Sequence, residues 1–137
     1  MTVEPTELAL PSRIESINAA ATAAADFLNR VGAGDEIAFA VDMAVREAVT
    51  NAVIHGNKQD ETKAVGVKFI NSPGALEIIV KDQGEGFDPS GVADPTDPQN
   101  LLKTSGRGIL FMRTFMDEVE WLEHDEGGTV VRMTKRL

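Results

Sequence analysis

Apolar positions recur along this chain in two rhythms, one helical and one of period two. Thr6–Leu10 reads as a short first strand. Pro11-Ser12-Arg13-Ile14-Glu15 then reads as a helix start, with Ser12 as the cap and Glu15, three residues on, completing a capping box. Ile14, Ile17, Ala21, Ala24, Leu28 and Val31 follow at helical spacing and give one apolar face. Gly32 and Gly34 end that helix, and Asp35 is expected to cap the next. The second helix is predicted from about Glu36 to Ile54. Ile37, Val41, Ala44, Val45, Ala48 and Ala52 form its stripe, and the alanines let it approach closely whatever lies beneath. His55-Gly56-Asn57 ends the pattern.

The rhythm then changes. Val65, Val67 and Phe69 alternate with polar or small residues, Asn71-Ser72-Pro73-Gly74 is a turn, and Leu76, Ile78 and Val80 alternate again. These segments predict an antiparallel hairpin. The stretch 88–104 is rich in Pro, Asp and Gly and reads as a loop. A third helix is expected from about Ile109 to Met116. A last hairpin pairs Val119–Glu123 with Thr129–Lys135 across Asp125-Glu126-Gly127-Gly128. The element order implies an α+β fold: one domain over 1–137, with helices on one face of a mostly antiparallel sheet.

Composition narrows the function. A chain of 137 residues can bury a real core, and with no cysteine it has neither disulfides nor thiolate metal sites. Two histidines, His55 and His124, do not show zinc-ligand spacing. A net charge of −9 disfavours direct contact with nucleic acid. No apolar run is long enough to span a bilayer and no leader-like N-terminus is present, so no membrane role and a cytoplasmic location are expected.

Three features carry candidate chemistry. In Glu47-Ala-Val-Thr-Asn51-Ala-Val-Ile-His55-Gly56, Glu47 and Asn51 stand four apart at the border of the apolar stripe. A carboxylate and an amide oxygen there are hard donors, suited to Mg²⁺ or its waters. Alone, such an Asn also fits a solvated helix position. His55 suits a structural hydrogen bond better than chemistry. In Asp82-Gln83-Gly84-Glu85-Gly86-Phe87, an apolar strand delivers Asp82 to a glycine-rich bend. An ionised Asp only accepts hydrogen bonds, so it can take one from an exocyclic amine such as that of adenine. An ordinary strand-ending turn would look similar. In Thr104-Ser105-Gly106-Arg107-Gly108-Ile109, small residues open a helix whose unpaired N–H groups suit phosphate, although an ordinary glycine-rich loop closing a helix would read the same way. Lys103 or Arg107 can add charge-assisted bonds. Together the three supply a metal site, a base pocket and a phosphate cradle. The chain has neither the Gly-x-x-x-x-Gly-Lys-[Ser/Thr] loop nor the dinucleotide-fold fingerprint.

In this order, Glu47-x-x-x-Asn51-Ala52-x-x-His55-Gly56, Asp82-x-Gly84-x-Gly86-Phe87 and Gly106-Arg107-Gly108-Ile109 resemble the N, G1 and G2 boxes of the GHKL ATPase/kinase superfamily. The stretch Gly106–Val119 and His55-Gly56-Asn57 are similar to its anti-sigma factor serine kinase group, the RsbW and SpoIIAB type. The resemblance implies a Bergerat-type two-layer α/β sandwich that binds ATP with Mg²⁺. By that likeness Asn51 would hold Mg²⁺, Asp82 would take the adenine amine, and Gly84 and Gly86 would line the nucleotide. Residues 88–105 would be the ATP lid, with Lys103, Thr104 and Ser105 at its end, and Gly106, Arg107 and Gly108 would meet phosphate. Thr129 would support the adenine from the last strand, and Glu47 would act as general base on a serine hydroxyl.

The activity implied is phosphoryl transfer to a serine of a STAS-domain anti-anti-sigma factor, together with sequestration of a sigma factor, by a homodimer. The alternative is a nucleotide-dependent switch module that captures partners without phosphorylating them, and Glu47 favours the kinase. A histidine kinase catalytic domain, or a gyrase-, Hsp90- or MutL-like role, is expected less, since each needs segments for which this chain leaves no room.

Overall fold

The structure is a computed structural model that describes residues 4–83, 112–123 and 128–137. Strand β1 is Thr6–Pro11, helix α1 is Glu15–Val31 and helix α2 is Asp35–Thr50. A π-helical turn, Asn51–Gly56, prolongs α2. Strands β2 (Ala64–Ser72), β3 (Ala75–Lys81), β4 (Glu118–Glu123) and β5 (Thr129–Arg136) complete the described elements. The sheet order is β1-β2-β3-β5-β4, and every neighbouring pair is antiparallel. Helix α1 packs over β1 and β2, while α2 packs over β3 and β5. The α+β sandwich expected from the element order is therefore the architecture found.

Alternation decides which strand residues face the helices. Val65, Val67 and Phe69 of β2, Leu76, Ile78 and Val80 of β3, and Val131 and Met133 of β5 are buried against them. Each such side chain, fully buried, is worth roughly 1.5–3 kcal/mol of transfer free energy. Phe27 of α1 stacks on Phe69 with ring centroids 5.6 Å apart. The helix pair closes through small residues: Ala20 and Ala24 of α1 and Ala44 and Ala48 of α2 are all buried. Residues 112–115 are helical and bring Met112 and Met116 into the same core. The rest of the third helix expected over 109–116 lies outside the described residues.

The helix ends depart from the sequence expectation. Ser12 does not cap α1, whose N-cap position is Ile14 with no side-chain cap bond. Ser12 is instead fully buried and donates to the Lys63 carbonyl at 2.7 Å, while Ser16 donates back to the Pro11 carbonyl at 2.6 Å. A tertiary partner outbids the local cap. Ile14, counted on the apolar face, is 58% exposed because it precedes the first regular turn. At the other end Gly32 takes φ 79°, and the N–H groups of Gly32 and Ala33 return to the Asn29 and Leu28 carbonyls. That is a Schellman closure, which needs a residue at ease in the left-handed region. Asp35 is the first residue of α2 and not its cap; Gly34 holds that position. Asp35 and Glu36 in the first turn still complement the helix dipole.

The second helix also ends differently. The α-pattern stops at Thr50, and the chain widens into the π turn, where the Asn57 N–H reaches the Ala52 carbonyl at 2.8 Å. Lys58 and Gln59 follow at φ 52° and 58°, a left-handed pair that turns the chain towards β2. Among the described residues no helix is long and apolar enough to cross a membrane.

Candidate nucleotide site

Asp82 continues the inward rhythm of Leu76, Ile78 and Val80 one step past the end of β3. It therefore faces the helical layer and is only 8% exposed. Thr129 holds the matching place at the start of β5, in phase with Val131 and Met133. The Asp82 N–H donates to the Thr129 carbonyl at 3.0 Å. The Thr129 N–H returns a bond to the Asp82 carboxylate, reaching Oδ1 at 3.0 Å. A carboxylate buried at a strand end can persist when such a donor meets it.

Two glycines fit around this carboxylate. A Cβ on Gly56 would overlap Asp82 Oδ2, so the end of the π turn lies directly against the acid. A Cβ on Gly128 would overlap the Asp82 carbonyl oxygen, and Gly128 also takes φ 93°. Backbone from α2's extension and from β5 can approach Asp82 this closely only because both positions lack side chains.

Asn57, directly after the π turn, is 1% exposed and joins four segments. Its Nδ2 donates to Ser12 Oγ at 2.7 Å and to the Ala64 carbonyl at 3.1 Å. Its Oδ1 accepts the Gln83 N–H at 2.7 Å. The Gln83 side chain in turn accepts the Ala64 N–H through Oε1 at 2.7 Å. The amide can point only this way. Gln83 offers a donor, Ala64 offers an acceptor, and the Ser12 hydroxyl has already given its proton to Lys63.

Glu47, on α2, and Asn51, opening the π turn, are both half-buried and share a helix face. Neither side chain has a hydrogen bond or ion pair with the other described residues. No group of three or more His, Cys, Asp or Glu that could hold a metal gathers among the described residues. The amide oxygen of Asn51 is a hard donor of the kind that would suit Mg²⁺. The buried acceptor at Asp82 fits an adenine amine.

The structure thus joins Asp82 and Thr129 directly, and the π turn that begins at Asn51 ends against Asp82. Gly84, Gly86, the lid expected over 88–105 and the expected phosphate-binding residues Lys103, Thr104, Ser105, Gly106, Arg107 and Gly108 lie outside the described residues. The His55 side chain is exposed and makes no hydrogen bond with the other described residues. The buried structural partner is Asn57, two residues on. In the sequence Asn57 closes the helical pattern and carries part of the family likeness, with no partner indicated. A polar residue directly after an apolar helix was the available signal, but its partners lie 7 to 45 residues away.

Comparison with known proteins identifies the family. Residues 10–135 match the histidine kinase-like ATPase domain family. A serine-protein kinase RsbW from Halalkalibacterium halodurans is 34% identical, over 98% of this chain and 84% of its own. An anti-sigma F factor from Heyndrickxia coagulans is 40% identical, over 68% of this chain and 65% of its own. Among solved structures, the RsbU and RsbW domains of a Mycobacterium tuberculosis protein superpose with a TM-score of 0.74 at 21% identity, covering 98% of this chain. This chain spans 33% of that larger protein, and the likeness speaks for the fold. The chain belongs to the histidine kinase-like ATPase domain family, alongside the RsbW serine-protein kinases and anti-sigma F factors.

Proposed function

We propose that this protein is a cytoplasmic anti-sigma factor and serine-protein kinase that uses Mg²⁺-ATP. It transfers the γ-phosphoryl group to a serine of a STAS-domain anti-anti-sigma factor and, in the same partner-switching cycle, holds a sigma factor inactive. The observation that carries the reading is the corner where Asp82, Thr129 and Gly56 meet, at the end of the π turn that Asn51 opens after the helix bearing Glu47.

The roles follow from the chemistry of the side chains together with the family resemblance. Asp82 accepts the adenine amine and so selects the base. Thr129, which holds the Asp82 carboxylate, supports the same ring. Asn51 would hold Mg²⁺, which would supply neutralisation of the phosphate charge. Glu47 takes the proton of the incoming serine hydroxyl as its oxygen bonds to phosphorus and ADP leaves. By the family resemblance Lys103, Thr104, Ser105, Gly106, Arg107 and Gly108 would meet the phosphates, residues 88–105 would act as the lid, and Gly84 and Gly86 would line the nucleotide. Phosphoryl transfer depends mainly on such positioning and charge stabilisation. The active unit is a homodimer, with edge strand β1 and helix α1 as the contact surfaces.

Incubation with γ-labelled ATP, Mg²⁺ and candidate STAS-domain proteins tests this. Label on a single serine of one partner is the expected result. Capture of the partner only with nucleotide, and with no label transferred, would instead mark a switch module without kinase activity.

A further inference from the structure

The β2–β3 ladder pairs Gly66 with Lys81, and carrying that register two residues further would set Ala64 opposite Gln83. An unbroken ladder would there join the Gln83 N–H to the Ala64 carbonyl. The carboxamide of Asn57 stands between them instead. Its Oδ1 takes the Gln83 N–H at 2.7 Å and its Nδ2 gives to the Ala64 carbonyl at 3.1 Å. The Gln83 side chain closes the other half by accepting the Ala64 N–H at 2.7 Å. The two strands are thus splinted apart at the point where the chain leaves β3.

The residue inside this splint is Asp82. Its own N–H and carboxylate are held by Thr129 on the β5 side, and the next N–H in the chain is held by Asn57 on the β2 side. Asn57 is itself fixed by Ser12, at the junction of β1 and α1, and follows Gly56, which lies against the acid. We propose that Asn57 is a positioning residue for base selection: by clamping the Gln83 backbone it sets where the Asp82 carboxylate points, without touching the nucleotide. The inference rests on Asp82 being the acceptor of the adenine amine. Small displacements of a hydrogen-bonding group cost affinity steeply, and they do so only for a ligand that uses the bond. The π turn gives Asn57 its place, since an α-helical continuation would present a different residue to this gap.

The test compares ATP with inosine triphosphate, which carries an oxygen in place of the amine. Affinities for both are measured by calorimetry on the full chain, for the parent, Asn57→Ala, Ser12→Ala and Asp82→Asn, with thermal melting as a check of folding. The parent is expected to prefer ATP by about 10- to 100-fold, the worth of one hydrogen bond to a charged group. Asn57→Ala should lose most of that preference by weakening ATP about tenfold while leaving inosine triphosphate nearly unchanged. Ser12→Ala, which frees one end of the amide, should reduce the preference in the same direction by a smaller factor, and it decides the matter if Asn57→Ala does not fold. A purely structural role would weaken both nucleotides equally. An unchanged ratio in folded Asn57 and Ser12 variants, with Asp82→Asn losing it, overturns the role of Asn57 and leaves Asp82 standing. A parent with no preference overturns both.

Discussion

The Thr129 N–H donates to Asp82 Oδ1 at 3.0 Å, and the Asp82 N–H donates to the Thr129 carbonyl at 3.0 Å. One ladder bond is thus made by backbone and its neighbour by a side chain. The carboxylate is fixed to the sheet before any ligand arrives, so little freedom remains to be lost on binding.

Asp82→Asn keeps the shape of this corner but removes the charge. Hydrogen bonds to charged groups contribute about 1.5–3 kcal/mol. The variant should therefore bind ATP roughly 10- to 100-fold more weakly by calorimetry. An affinity equal to the parent's would take Asp82 out of the base pocket.

Gly128→Ala should destabilise the fold. The new Cβ would meet the Asp82 carbonyl, and φ at 93° disfavours any side chain. Overpacking costs about 1–3 kcal/mol, and a left-handed residue adds about 1–2. Urea unfolding should show a loss of about 2–5 kcal/mol without a change in slope. A loss below about 0.5 kcal/mol, the scatter of ordinary surface changes, would mean that this backbone contact is loose.

Glu47 and Asn51 share a helix face but should separate in function. A positioned base contributes about 10²–10⁴-fold to a rate, so Glu47→Ala should lose that much serine phosphorylation while ATP affinity holds. Asn51→Ala should weaken ATP in the presence of Mg²⁺ far more than in its absence. Titrations with and without the metal, beside single-turnover transfer, distinguish the two roles. Equal transfer rates for Glu47→Ala and the parent would remove Glu47 from the chemistry.

Asp60 gives a pH signature away from the site. The Thr62 hydroxyl, then the Thr62 N–H, hold its carboxyl below the ordinary value of 3.8. A depressed folded-state value means that the stabilisation is present above 3.8 and disappears as pH falls through the lowered value. Carboxyl-detected NMR should find a midpoint below 3.8 in the parent and a higher one in Thr62→Ala. Acidification from pH about 4 downward should then cost the parent more stability than the variant. Coincident midpoints would show that the turn does not hold the acid.

The layers of this fold were legible from pattern alone. Period two placed Val65, Val67, Phe69, Leu76, Ile78 and Val80 on one face, and that face is the buried one. The helical stripe of Val41, Ala44, Val45, Ala48 and Ala52 is buried as expected. The same alternation carried one residue past β3 put Asp82 on the inner side. The helix starts were not legible. Ser12 and Asp35 have the right chemistry for caps, but Ser12 found Lys63 and Asn57, and Gly34 took the cap of α2.

What the sequence by itself determined is whatever depends on neighbours within a few residues: the periodicities, the Gly32 and Gly74 turns, and the residue types able to accept an amine or hold a hard cation. What only the tertiary structure decided is how distant groups share hydrogen bonds. The turn at Asn51–Gly56 widened from α to π, Asn57 was drawn into the gap between Ala64 and Gln83, and Gly56 and Gly128 came to lie against Asp82. The reason is that a buried polar group must find its partner wherever packing places one, and sequence distance does not record that place.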